Sequence, residues 1–322
     1  MNSSTPKELP DALKVSARDF EGWEQAVDGL RAQGISFLNY THKHDPSSQS
    51  INVLCSRIRD LLSDEGAGVA LLDLGRVLDR DPELTDKAKL LVVIIGNKFG
   101  KTVTRNYQGT SPFFPLYYRK EGNTEGYIGN GQSNNQPGVH TDGSAWREAR
   151  VDLLGLMSVR RTASGGATII VNALRVFEAL PSELQDFLCS RSFARQDPFA
   201  PFHPRPVKRT IYKEVTADFY SGLGIRYHRM RIEGGHRLSG EPLCHRDLTA
   251  LDEFDEVLRD MRFRHECFLD SGHILFINNS FICHDRTPFV DDDRKPRLLY
   301  RYWAGASYEN SVDKGSIPSP SD

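Results

Sequence analysis

What this 322-residue chain lacks narrows it first. No apolar run approaches the roughly 18–20 residues that a membrane-spanning helix needs. The opening stretch MNSSTPKELPDALKV has no basic-then-apolar leader pattern. Neither sign of charge dominates: 41 Lys and Arg stand against 43 Asp and Glu, so neither nucleic acid nor an anionic membrane surface is indicated as a partner. Cysteine is sparse. Cys55, Cys189, Cys244, Cys267 and Cys283 are scattered, odd in number and form no CxxC, which argues against a disulfide or zinc framework and for free thiols in a reducing cytoplasm. There is no internal repeat and no low-complexity block. With 39% hydrophobic residues the chain can bury a core, so disorder is not the default.

What is present reads as one domain over residues 1–322, with loose ends at 1–15 and 311–322. Amphipathic patterns predict helices over 17–33 and 50–64. LTDKAKLLVVIIGNKFG predicts a helix capped by Thr85 or Asp86 and stopped at Gly100. Residues 106–138 are rich in Gly, Asn and Pro and read as a long loop. GVALLDL, VDLLGLMSV, ATIIV, RHECFL, HILFIN and RLLYRYW read as strands. Asn172 is expected to cap a short helix, and Ser182 with Gln185 to form a capping box. LTALDEFDEVLRDMRF reads as a helix. The segment 191–246 reads as basic and irregular, a lid inserted between core strands. Many late strands with mostly early helices predict a mainly-β fold, a sandwich or jelly roll flanked by helices.

In GVHTDGSAW, His140 and Asp142 are two residues apart, so an extended backbone puts imidazole and carboxylate on one side. His284, in SFICHDRTPF, supplies a third donor. Two neutral imidazoles and one carboxylate on one face of a metal form the facial triad of non-haem iron(II) oxygenases, with three positions left for a chelating cosubstrate and dioxygen. In RLLYRYW, Arg297, Leu299 and Arg301 share one face. An arginine turned into a barrel needs an anion, because a buried unpaired charge is costly. A dicarboxylate chelating iron at one end and meeting Arg297 at the other meets that need, with Thr168 of GGATIIV as a second hydrogen-bonding group. The other reading turns both arginines outward to Asp291–Asp293.

The order HxD, then GGxT, then SGHILFINNSFICHDRTPF, then R-x-x-x-R resembles the taurine dioxygenase and clavaminate synthase group of Fe(II)/2-oxoglutarate-dependent oxygenases. The resemblance implies a double-stranded β-helix core. It implies iron held by His140, Asp142 and His284, and the far carboxylate of 2-oxoglutarate held by Thr168 and Arg297. Arg301 is implied near the cosubstrate or a substrate anion. This chain has HTD where the clavaminate-like branch usually has HTE.

The expected activity is hydroxylation of an sp³ carbon of a small polar, amino-acid-like metabolite, anionic or zwitterionic, in specialised biosynthesis, using Fe(II), 2-oxoglutarate and O2. Desaturation, epoxidation or cyclisation uses the same residues. A metal-binding jelly roll without redox chemistry is the alternative from another class. His42-x-His44 reads as a solvated pair, and His203, His228, His236, His245, His265 and His273 are left outside the metal site. Asn134, Asn135 and Gln136 offer amides near the expected mouth, and the basic excess of 191–246 offers cations over it.

Overall fold

The computed structural model describes residues 7–16, 22–46, 48–104, 110–117, 136–147, 149–197, 206–292 and 294–306. The apolar runs lack the alternation of half-exposed strands because both faces of their sheet are covered. In Val69–Asp73, Val69 and Leu71 turn to one side and Ala70 and Leu72 to the other. The strands Leu153–Arg160 and His273–Asn278 divide in the same way, with Leu154, Leu156, Leu275 and Ile277 on the first side and Leu153, Met157, Ile274 and Phe276 on the second.

The larger sheet runs Lys14–Ser16, Val69–Asp73, His273–Asn278, Leu153–Arg160, Leu298–Gly305 and Lys101–Thr102, with Phe113–Leu116 also paired to Leu298–Gly305. The smaller sheet runs Lys7–Glu8, Arg264–Cys267, Thr168–Asn172 and Ile282–Arg286. Ile170 and Ile282 meet the inner face of the larger sheet, whereas Ile169, Val171 and Cys283 pack outward against the helices Ala173–Ala179, Ser182–Ser190, Arg229–Ser239 and His245–Arg259. Trp23–Ala32, Gln49–Leu62 and Pro82–Asn97 cover the outer face of the larger sheet. Two sheets face to face, with helices on both outer sides, make the expected jelly roll.

Local differences from the sequence reading have identifiable causes. Within the expected loose end 1–15, residues 7–8 and 14–15 instead extend the two sheets, the latter as part of Lys14–Ser16, by pairing in parallel at their edges. The third helix starts at Pro82, because the Asp81 carboxylate accepts from the Leu84 amide at 2.9 Å. Thr85 instead donates its hydroxyl to the carbonyls of Leu78 and Asp81. Gln185 makes no capping box; its amide donates to the carbonyls of Phe177 and Leu180, closing the preceding helix. The segment 106–138 holds the strand Phe113–Leu116, and apart from 110–117 and 136–138 it lies outside the described residues. The segment 191–246 is built of the strands Phe193–Arg195, Val207–Arg209, Tyr212–Ala217 and Tyr220–Ile225 and a helix, with 198–205 outside the described residues. Its exposed alternation in Tyr212–Ala217 conceals a hairpin that a search for apolar runs overlooks.

Gly96 lets the helix Pro82–Asn97 approach the strand that carries Arg301: a Cβ there would meet the Tyr302 ring at 2.2 Å. Gly96→Ala is expected to lower stability by about 1–3 kcal/mol through overpacking, read as a fall in Tm relative to wild type. A Tm equal to wild type would show that this contact relaxes freely.

Candidate active site

His140 and His284 are joined by their backbones before their side chains meet anything. The His140 N–H donates to the His284 carbonyl at 2.9 Å, and the His284 N–H returns the bond at 2.8 Å. This bridge sets the two imidazole rings 4.4 Å apart. Asp142 follows in a turn rather than in a strand. Its N–H donates to Asn279 Oδ1 at 2.9 Å, while the Asn279 amide donates to the carbonyls of Asp142 and Val151 at 3.1 and 2.8 Å. Between them, Thr141 exchanges bonds with Tyr227: its N–H donates to the Tyr227 carbonyl at 2.8 Å, and its hydroxyl accepts from the Tyr227 N–H at 3.0 Å. The middle residue of the HTD motif thus ties the metal loop to the 191–246 segment.

Ligand atoms of His140, Asp142 and His284 lie within 4.8 Å of one another, all three residues being buried. Asp142 Oδ1 is 3.7 Å from His140 Nε2 and 3.9 Å from His284 Nε2. Ligands at right angles on a metal, with bonds of about 2.1 Å, stand roughly 3 Å apart, so a small contraction would seat an ion. His140 Nδ1 lies 2.8 Å from the Gly138 carbonyl and must donate to it, which leaves the lone pair on Nε2. Burial, together with the neighbouring His140, pushes His284 down to about 3, so it stands as a neutral donor. Burial opposes charge on Asp142, but Arg301 beside it and the two imidazoles outweigh that and hold its carboxyl well below the usual range. The Arg301 Nη1 is 3.4 Å from Asp142 Oδ2, and the Trp303 indole N–H donates to the same oxygen at 2.7 Å. Two nitrogen donors and one carboxylate oxygen suit Fe(II).

A cavity of about 60 Å³ opens beside the triad, and His140, His284, Thr168, Arg286, Arg297 and Arg301 are in its wall. Strand register builds it. Thr168 pairs with Arg286 across the smaller sheet, Gly165 pairs with Phe289, and Ala167 exchanges hydrogen bonds with Thr287 at 2.9 Å each way. A Cβ on Gly165, whose φ is +69°, would stand 2.3 Å from the Pro288 carbonyl, which explains the glycine. GGAT and HDRTPF, far apart in sequence, are therefore facing parts of one wall. The outward reading of the arginines fails. Arg297 is only 5% exposed, and Asp291 accepts from its backbone N–H rather than from its guanidinium. Burial, with Arg286 adding repulsion, pushes Arg297 down to about 9, and burial pushes Arg286 down to about 10. Both guanidinium groups lie over the Phe289 ring, at 5.5 and 4.6 Å.

The sequence reading missed Arg286, although it follows His284 by two residues and the rule that paired His140 with Asp142 also turns Arg286 inward. His228, left outside the metal site, is also outside the triad, although its buried ring lies 4.8 Å from that of His140; only the fold brings Tyr227 and Thr141 together. His42 and His44 are exposed or half-exposed in a short 3-10 turn, as expected. His236 is structural: it accepts from the Ala194 N–H at 3.1 Å. His203, Asn134 and Asn135 lie outside the described residues, while Gln136 donates to Asp285 at 2.5 Å. Much of the basic excess of 191–246 is engaged within the protein. Arg191 meets Asp247, Lys208 meets Glu241, Arg229 meets Glu233, Asp252 and Asp255, and the fully buried Arg195 donates to backbone carbonyls.

Comparison with known proteins agrees with this geometry. Among solved structures, an asparagine oxygenase bound to Fe(II), 3-hydroxyasparagine and succinate is similar with a TM-score of 0.69 and 16% identity, covering 91% of this chain and 93% of that one. The non-heme iron oxygenase OrfP with Fe and α-ketoglutaric acid gives 0.62 and 16%, covering 94% of each chain. A taurine dioxygenase from Burkholderia xenovorans gives 0.53 and 16%, covering 85% of this chain and 86% of that one. A uridine-5'-phosphate dioxygenase from a Streptomyces species is 27% identical over 209 residues, which is 59% of this chain and 72% of that protein. The profile described as taurine catabolism dioxygenase TauD, TfdA family matches residues 92–303, a span that contains the triad, the cavity arginines and most of the sequence. The chain therefore belongs to the TauD/TfdA family and is an Fe(II)- and 2-oxoglutarate-dependent oxygenase.

Proposed function

We propose that this oxygenase hydroxylates an sp³ carbon of a small metabolite bearing an anionic group, amino-acid-like in the first reading, with Fe(II) held by His140, Asp142 and His284. The far carboxylate of 2-oxoglutarate is held by Thr168, Arg297 and Arg286. The observation that carries this is the buried triad opening onto a cavity with arginines in its wall. When bound, Fe(II) with 2-oxoglutarate and dioxygen supplies an oxidant able to attack an unactivated C–H bond. The protein supplies the setting. Two imidazoles and an ionised carboxylate offer three donors on one side. Arg297 and Arg286 orient and neutralise the cosubstrate's far end in a site where Leu116, Leu156 and Phe289 limit water.

Arg301 supports an anionic substrate. It rests on Trp303 and Phe114, at 4.4 and 5.2 Å, and keeps 18% of its side chain accessible beside the triad. The lid supports this less than its composition suggests, because so many of its cations are already engaged. The asparagine oxygenase and OrfP structures solved with hydroxyasparagine and hydroxyarginine support an amino acid. The resemblance to a uridine-5'-phosphate dioxygenase supports a phosphate ester as the second reading. Five unpaired cysteines support a cytoplasmic setting.

Replacing His140, Asp142 or His284 by Ala is expected to abolish turnover and the charge-transfer absorption that Fe(II) and 2-oxoglutarate give anaerobically; wild-type behaviour in any of the three removes that residue from the site. Arg297→Met and Arg286→Met should each weaken 2-oxoglutarate binding by roughly 2 kcal/mol or more, about 30-fold in Kd. The affinity for 2-oxobutyrate, which lacks the far carboxylate, should not change. Equal weakening for both acids would place the two arginines elsewhere. Substrate class is read from a succinate-release screen over amino acids, sulfonates, nucleoside monophosphates and neutral apolar compounds. Turnover is expected among the anions, with a product heavier by one oxygen atom. Turnover confined to neutral compounds would overturn the anionic reading, and a product lighter by two hydrogens would replace hydroxylation with desaturation or ring closure.

A further inference from the structure

Asp142 presents its two oxygens to different neighbours. Oδ1 faces the imidazoles, 3.7 Å from His140 Nε2 and 3.9 Å from His284 Nε2. Oδ2 accepts from the Trp303 indole N–H at 2.7 Å, and Arg301 Nη1 lies between the two oxygens, 3.4 Å from Oδ2 and 3.5 Å from Oδ1. Trp303 is 1% exposed and fixed on every side. Trp146 meets it edge-on at 5.0 Å, Phe114 stacks at 6.4 Å, and the Arg301 guanidinium lies over its face at 4.4 Å. Its backbone pairs with Leu154 in the larger sheet and accepts from the Val103 N–H at 2.9 Å. An indole donates one hydrogen bond and accepts none, so this contact has a single polarity. It is buried and charge-assisted, the kind of hydrogen bond whose loss is most strongly felt.

We propose that Trp303 is a positioning residue that holds Asp142 to ligation through Oδ1 alone. A carboxylate free to turn can offer both oxygens to a metal and take one more coordination position. With Oδ2 fixed to the indole, that turn breaks a buried hydrogen bond, and the position stays available. The site must leave room for both a chelating cosubstrate and dioxygen, so one-oxygen ligation is the geometry it needs. Arg301 sits near both oxygens and keeps part of its side chain accessible; Trp303 bonds Oδ2 alone and supplies the fixed direction. The inference rests on the metal reading of the triad and adds to it the partner that sets the carboxylate's angle.

The test uses the full chain and metal binding rather than turnover. Trp303→Phe keeps an aromatic face for Arg301 and removes the donor. Anaerobic Co(II) titration should show a Kd raised ten- to a hundredfold, the usual effect of losing a partner behind a metal ligand, and a changed Co(II) d–d spectrum. Trp146→Phe, beside Trp303 but not bonded to Asp142, should leave both unchanged. A Trp303→Phe protein that binds Co(II) within twofold of wild type, with the same spectrum, overturns the proposal. A second measurement needs no variant. The sequence holds three tryptophans, so indole ¹⁵N labelling gives three side-chain N–H resonances. Zn(II) should shift one of them markedly; no shift in any overturns the proposal. Asp142→Ala separates the two levels. If it keeps full metal affinity the triad reading itself fails, whereas if it loses affinity and Trp303→Phe does not, only the role of Trp303 falls.

Discussion

Everything in this site depends on the two-bond backbone bridge between His140 and His284. Side-chain contacts alone would leave the imidazoles to find each other across two distant stretches of chain. The bridge instead makes their separation a property of sheet geometry, with ring centroids 4.4 Å apart. His284 lies on Ile282–Arg286, which the smaller sheet holds against Thr168–Asn172. His140 extends that sheet by a single bridge just before the chain turns at Asp142. Asn279, fully buried, then fixes the turn through three hydrogen bonds to main-chain groups. The side chains of the triad are thus placed by main-chain hydrogen bonds that form wherever the jelly roll forms, which is the kind of rigid support that a pre-organised site requires.

The same register positions the anion-binding wall. One strand carries His284 and Arg286 on its inner face, and its partner carries Ile170 and Thr168 on the matching face. A shift of one residue would send His284 and Arg286 outward among Ile169, Val171 and Cys283, where the helices pack. Asp285, between them, is buried too and takes the Gln136 amide. The triad and the arginine wall of the cavity therefore share one alternation and are built or lost together.

Most of this was legible in the sequence wherever the signal is local. HTD, GGAT and the alternation in RLLYRYW each state their geometry within a few residues, and HILFIN matches the strand His273–Asn278 at both ends. Arg286 and Trp303 were equally legible by the two-residue rule. They went unread because His284 and Arg301 already satisfied the chemistry being sought. The hairpin Tyr212–Ala217 with Tyr220–Ile225 was hidden for another reason: its exposed positions break the apolar pattern that strand recognition relies on. The helix cap sits at Asp81 rather than at Thr85 or Asp86 because Pro82 suits a first helical position and the Asp81 carboxylate reaches the Leu84 N–H. His228 was not legible at all, since only the pairing of Tyr227 with Thr141 brings it near His140.

The arrangement of charge around the cavity explains why such a wall can persist in a folded protein. Arg286 and Arg297 are both buried over one phenylalanine, and burial lowers both from their ordinary values, to about 10 and about 9. Both remain protonated near neutrality, so the wall stays cationic. Two acids lie near, Asp291 accepting from the Arg297 backbone N–H and Asp285 from Gln136, and each works against burial on its neighbouring arginine. A buried cationic wall is unfavourable for the fold taken alone and becomes favourable once an anion enters, so an anion that binds there also stabilises the folded chain. Asp142 has the opposite sign and the same logic: an ionised carboxylate kept in a buried place by the Arg301 charge and the Trp303 indole N–H. The barrel thus carries a negative centre where a divalent cation would sit and a positive wall where a carboxylate would end. A molecule that coordinates the metal at one end and carries negative charge at the other satisfies both at once, which neither half of the site can do alone.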